Sequence, residues 1–280
     1  MKRVAVFAHF DRDNIVDDYV LYYLEQLRHV AHHIVFVTAS QINQPETARV
    51  SKLCDAVIVR ENIGYDFASW RAGINSITNL ADYDELILCN DSVYGPLFPL
   101  QDSFARMQEK QCDFWGMTDN YEIAYHLQSY FLVFRKNVFI SKAFTDFWNS
   151  LDTGKTKWEI IREYEIGLSQ VLMTAGFKPC VYAPAQKASL IKLALLALQR
   201  PSRIVRVIQK KKLSRNLNQT QFFWHDLIIK YKMPFIKIEL LRDNPAHIDV
   251  TDYKSIINEH SCYNIRLIEQ HLERINNDKE

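Results

Sequence analysis

Four short apolar runs, Arg3–Phe7, Ile34–Val37, Ala56–Val59 and Leu86–Cys89, constrain this chain more than anything else in it. Each is short for a helix and apolar throughout, the pattern of a strand buried on both faces. Helical periodicity fills the gaps. Val16, Tyr19, Val20, Tyr23, Leu24 and Leu27 share one helix face after the first run, and Phe67, Trp70, Ile74 and Ile77 share another after the third. Asp13 can cap the first helix, with Asp17 and Asp18 in its first turn. Pro45 starts a short helix to about Leu53. Strands alternating with helices predict an α/β fold: a Rossmann-type, mostly parallel sheet with helices on both faces. In such sheets ligands sit beyond the carboxyl ends of the strands.

The chain holds only 7 Gly in 280 residues, and Gly64, Gly73 and Gly95 all fall between Glu61 and Pro99. Glycine allows backbone geometry or close approach that a Cβ forbids. With short polar residues beside them, these glycines predict that Asn62–Asp66 and Asn90–Ser92 form the floor of one pocket. His9 and Asp11 follow at the carboxyl end of the first strand.

Beyond Pro99, Gln101–Lys110 reads as helix. Cys112–Met117 and Tyr130–Phe134 read as strands and Asn137–Leu151 as helix. Lys157–Ala175 is a helix with a break, with Gly176 as its C′ residue, and Pro179–Tyr182 is a last strand. Nothing resembling a linker occurs before about Ala185, so residues 1–185 read as one core and 186–280 as a mostly helical C-terminal region. Within the latter, 187–215 carries nine Lys and Arg and no acid. It fits an interfacial helix pair drawn to anionic lipid, or equally a buried apolar helix followed by a solvated basic one. A polar helix around Asn264–Ile275 ends the chain.

Several classes are disfavoured. Five scattered Cys form no C-x-x-C or Cys/His cluster, so neither a zinc site nor a disulfide framework is expected, and the reducing cytosol is the natural compartment. The N-terminal apolar run is too short for a signal peptide, and no stretch is long enough to span a membrane. The glycine fingerprints of dinucleotide and P-loop sites are missing. No nucleic-acid partner is expected, and the oligomeric state is left open.

The residues leave candidate roles open. Asp66 fits a helix N-cap or a ligand contact. Asn90-Asp91-Ser92 fits a turn or a binding loop. Glu163 and Glu165 fit first-turn glutamates or a general base. His126, Gln128 and Ser129 fit a polar strand entry or hydroxyl binding. Lys237 and Arg242 fit the wet face of a strand or a diphosphate clamp. Trp224-His225-Asp226 suggests a pair, but adjacent helix residues do not face each other.

Six blocks, NIGYDFASWRAGI, LCNDSVYGPLFPL, DFWGMTDN, HLQSYFLVFRKNVF, YEIGLSQVLMTAGF and PFIKIELLRDNP, in this order resemble the rhamnan synthesis protein F family. The resemblance covers roughly Lys2 to Asn244. The resemblance implies a GT-A-like glycosyltransferase of bacterial polysaccharide assembly. The Asp-x-Asp that binds a metal in such enzymes corresponds to Asn90-Asp91-Ser92, where only Asp91 could ligate Mn²⁺ or Mg²⁺. Aligning Leu168 with the Leu of a Glu-Asp-x-x-Leu block makes Glu165 the base, with Glu163 as fallback. The implied donor is a nucleotide sugar, dTDP-rhamnose, held by His9, Asp11, Asn62, Gly64, Asp66, Arg71, Asn90, Asp91, Ser92, Lys237 and Arg242. The implied acceptor is a lipid-linked glycan, met by His126, Gln128, Ser129 and Trp224. Such a protein would be cytoplasmic, peripheral on the inner face of the membrane. The alternatives are a non-catalytic glycan- or nucleotide-binding subunit and the same fold using another sugar.

Overall fold

The computed structural model describes residues 1–185 and 217–277. The basic segment 187–215 lies outside the described residues. The first half follows the expected alternation: β1 (Arg3–His9), α1 (Asp18–Arg28), β2 (His33–Thr38), α2 (Gln44–Val50), β3 (Ala56–Val59), α3 (Tyr65–Ser76) and β4 (Glu85–Asn90). Then come β5 (Val93–Tyr94), α4 (Leu100–Gln108), β6 (Phe114–Asn120), β7 (His126–Leu127), β8 (Phe131–Arg135), α5 (Lys136–Phe139), α6 (Lys142–Asn149), α7 (Lys157–Ile160), a π-helical turn (Ile161–Glu165), α8 (Ile166–Thr174) and β9 (Pro179–Ala183). The C-terminal region adds α9 (Gln219–Phe222), α10 (Trp224–Tyr231), β10 (Ile236–Lys237), α11 (Ile238–Arg242), α12 (Tyr253–His260) and α13 (Arg266–Asn277).

The main sheet runs β3-β2-β1-β4-β8-β6-β7, with β9 also paired to β6. All its strands run one way except β7 and β8. Chain order steps outward from β1 to β3 and then returns to β4. Right-handed crossovers therefore put α1 and α2 on one face and α3 on the other. Alternate residues of β1 divide accordingly: Ala5 and Phe7 pack with the α1 side, Val4 and Val6 with the α3 side. Gly73 of α3 sits so close to β1 that a Cβ would lie 2.3 Å from Val6 Cγ1. Trp224, Ile257 and Ile268 of the C-terminal region join the same apolar cluster as α1.

Several local expectations change. Asp13 does not cap α1, whose N-cap is Asp17; Asp13 lies in the preceding turn, where Arg274 donates to it at 2.8 Å. The Asn137–Leu151 helix breaks in two because Ser141 caps α6, accepting from Phe144 N–H at 3.2 Å. The 236–242 stretch is not a strand with a wet face. Its first two residues pair with β5 and the rest turn into α11.

Candidate functional site

The sheet reverses its strand order between β1 and β4, and the crevice at such a point is where ligands bind in open α/β sheets. The loops after β1, β3 and β4 converge there. Asn90 ends β4, with both ends of its side-chain amide hydrogen-bonded. Its Nδ2 donates to Asp66 Oδ2 at 2.7 Å, and its Oδ1 accepts from Ser92 Oγ at 2.7 Å and Ser92 N–H at 3.2 Å. Asp66 is thus not a helix cap. Gly64, in left-handed geometry, holds that place, and Asp66 lies in the first turn of α3. Burial pushes the Asp66 carboxyl above its usual range, and the Asn90 hydrogen bond opposes the shift.

Across this floor stands Lys237. The β10–β5 pairing sets Lys237 opposite Val93, and Nζ donates to Ser92 Oγ at 3.2 Å while lying 4.5 Å from the centre of the Tyr130 ring. Burial lowers its pKa, and the charges of Glu165, Glu239 and Asp66 counter that. Gly95 makes the docking of β10 feasible, since a Cβ there would lie 2.2 Å from Pro234 O. Arg242, one helix turn further, donates instead to Asp243 at 2.7 Å and does not join Lys237 in a clamp.

Glu165 closes the π-helical turn just before α8, a wide helical geometry often found at functional sites. Ser129 donates to Glu165 Oε1 through N–H at 3.1 Å and Oγ at 3.0 Å. Glu163, two residues earlier, is exposed and pairs with Lys155. The fallback base therefore faces away from Ser129 and the floor.

The remaining expected residues divide. Asp91 turns its carboxylate toward β1, where Oδ2 accepts Phe10 N–H at 2.8 Å and lies 4.0 Å from His9 Nε2. Burial and the charge of Asp66 push its pKa well up. His9 is buried, holds Thr38 Oγ1 at 2.9 Å, and has its pKa held down to about 4 by burial. The Asp11 carboxylate takes Asp13 N–H and Ile15 N–H on one oxygen and Arg274 of α13 on the other, at 2.5 Å. It shapes the β1–α1 turn. Asn62 is exposed on the loop after β3. Arg71 donates to Leu151 O at 2.7 Å. Gln128 accepts from Thr118 Oγ1 at 2.7 Å, and His126 contacts Ala124 O at 2.9 Å; both are buried. Trp224 is core: its indole N–H donates to Asp249 O at 3.3 Å, and it shares a small cavity with Tyr130, Thr220 and Lys237.

Sequence reading missed Arg60. Its Nε donates to Ser69 Oγ at 2.9 Å, and its other nitrogens donate to the carbonyls of Glu61, Ile63 and Tyr65 at 2.6–2.7 Å. One planar guanidinium thus shapes the loop that carries Asn62 and Gly64 and holds Tyr65 at φ +52°. Its place just after β3, on the pocket side, was the available signal.

The donor set does not fit an Asp-x-Asp metal site. The loop offers one carboxylate, Asp91, and it is turned toward β1, where Oδ2 accepts Phe10 N–H. Among the described residues no three His, Cys, Asp or Glu side chains are grouped to hold a metal ion.

The fold is a mostly parallel α/β sheet with polar loops gathered at the strand ends. The chain belongs to the rhamnan synthesis protein F family, whose model matches residues 34–195. Virulence protein VirA of Vibrio anguillarum is 31% identical over 255 residues, covering 88% of this chain and 81% of that protein. An uncharacterized protein, y4gN of Sinorhizobium fredii, is 31% identical over 167 residues, covering 58% of this chain and 44% of that one. Among solved structures, the glycosyltransferase GlyE of Streptococcus pneumoniae TIGR4 covers 99% of this chain and 64% of its own, at 11% identity and a TM-score of 0.46. A Desulfovibrio desulfuricans G20 protein described as a nucleotide-diphospho-sugar transferase covers 82% and 99%, at 14% identity and a TM-score of 0.37. Membership of the rhamnan synthesis protein F family supports a transferase.

Proposed function

We propose that this protein is an inverting rhamnosyltransferase that moves L-rhamnose from dTDP-rhamnose to a hydroxyl of a lipid-linked bacterial surface polysaccharide. The observation that carries this reading is the placement of Glu165. Ser129 orients one of its oxygens, and the side chain lies within electrostatic reach of Lys237 and Asp66 on the pocket floor. A carboxylate so held can take the proton of an acceptor hydroxyl as that oxygen attacks the anomeric carbon in line. The donor diphosphate would lie over Asn62, Gly64 and Asn90–Ser92. Rhamnose, the thymidine nucleotide and the lipid-linked acceptor come from the family resemblance.

Among the described residues no helix is long and apolar enough to cross a membrane. A peripheral position on the inner face of the cytoplasmic membrane follows from the implied acceptor and the basic segment 187–215.

The test is transfer from dTDP-rhamnose to a membrane glycan fraction by wild type and by Glu165→Gln. Loss of turnover by ~10²–10⁴ with donor binding kept supports a general base. Unchanged turnover would refute that role, and transfer by neither protein alongside intact nucleotide binding would favour a non-catalytic binding subunit.

A further inference from the structure

We propose that Lys237 does in this pocket the electrostatic work that a divalent cation does at an Asp-x-Asp site, stabilising the charge that develops on the leaving nucleoside diphosphate. This rests on reading the 61–99 floor as the donor pocket.

Three observations carry it. First, position: Lys237 is 145 residues from Ser92 in sequence, yet the β10–β5 ladder holds it against the third residue of the Asn-Asp-Ser loop. Ile238 N–H to Ser92 O at 3.1 Å locks the register. Second, capacity: an ammonium has three donors, and among the described residues only Ser92 Oγ accepts from it. The Tyr130 face covers another side. At least one N–H remains for a phosphate oxygen. Third, the Asn-Asp-Ser loop carries a single carboxylate, and it is turned toward β1, where Asp91 Oδ2 accepts Phe10 N–H at 2.8 Å. A cation fixed by the fold costs little reorganisation during reaction and acts strongly where water is excluded.

In the transfer the acceptor oxygen bonds to the anomeric carbon. The bond from that carbon to the diphosphate oxygen breaks, and its electron pair leaves with the diphosphate. The acceptor proton passes to Glu165. Lys237 keeps its proton and donates a hydrogen bond to the departing oxygen.

The test is calorimetric titration of wild type, Lys237→Met and Lys237→Arg with dTDP, UDP and GDP, in EDTA and again with Mn²⁺. One nucleotide is expected to bind wild type in EDTA with a Kd within about threefold of that in Mn²⁺. Lys237→Met should weaken it by ~30-fold or more and Lys237→Arg by less than ~10-fold. Binding by wild type that requires Mn²⁺, or Lys237→Met binding as tightly as wild type, would overturn the assignment of Lys237 alone. If no nucleotide binds wild type under either condition, the donor pocket itself is refuted, and the role of Lys237 with it. The wild-type metal arm needs no variant to fold.

Discussion

Ser129 gives two hydrogen bonds, one from its backbone N–H and one from its hydroxyl, to the same oxygen of Glu165. Among the described residues the other oxygen receives none, so one end of the carboxylate is fixed and the other is open to a substrate hydroxyl. Ser129→Ala removes one of the two bonds and leaves the N–H. A net hydrogen bond is worth about 1 kcal/mol, so kcat should fall ~3–10-fold with donor KM unchanged. Steady-state kinetics beside Glu165→Gln checks this. A Ser129→Ala rate equal to wild type would mean the hydroxyl does not position the base.

Arg60 makes four hydrogen bonds that point in different directions, three of them to carbonyls of the Glu61–Tyr65 loop. A lysine ammonium cannot reproduce that planar fork. Arg60→Lys should therefore raise donor KM ~10-fold while changing kcat little, because in the proposed reading the loop holds the donor and not the base. Hydrogen exchange confined to residues 61–69 should speed up in the same variant.

Gly95 combines φ +142° with a virtual Cβ 2.2 Å from Pro234 O and 2.9 Å from the Phe235 ring. Gly95→Ala must push away the strand that carries Lys237. A loss of ~3 kcal/mol or more in denaturant unfolding is expected, from clash and backbone strain together. Nucleotide binding should suffer beyond the fraction unfolded.

His9 is buried, and burial holds its pKa down to about 4, below the usual 6.5 of an imidazole. Its neutral form is the one that fits, so its contribution is complete above the unfolded pKa and is lost as pH falls toward the folded value. Wild type should lose about 2 kcal/mol from this group between neutral pH and about pH 5. Asp66 and Asp91 are shifted upward and act with the opposite sign as pH rises from the unfolded carboxylate range. Comparing wild type with His9→Gln isolates the histidine: the variant should lose less stability than wild type over that window in urea titrations.

The sequence makes the parallel half of the fold legible because burial on both faces writes itself as apolar runs, and helix faces as 3.6-residue spacing. The meeting of the two polar loops was legible as well: Asp66 and Asn90, 24 residues apart, are joined by a 2.7 Å hydrogen bond. What stayed hidden depends on distant partners. β10 is two residues long and exists only through its pairing with β5, so Lys237 looked like one face of a longer strand. The direction of the Asp91 carboxylate depends on the Phe10 N–H, 81 residues away. Trp224 is buried beside the cavity that Lys237 lines, and an aromatic in an apolar run reads the same whether it packs or also meets a ligand. Arg60 stood in view just after β3, but three of its four hydrogen bonds go to backbone carbonyls, which residue identity does not display.

The most direct measurement is titration of the wild-type protein with dTDP-rhamnose and dTDP, with UDP and GDP beside them. Saturable one-to-one binding of the thymidine nucleotides, weakened in Arg60→Lys and kept in Glu165→Gln, is the expected result. No binding of any of the four would contradict a donor pocket at the β1–β4 crevice.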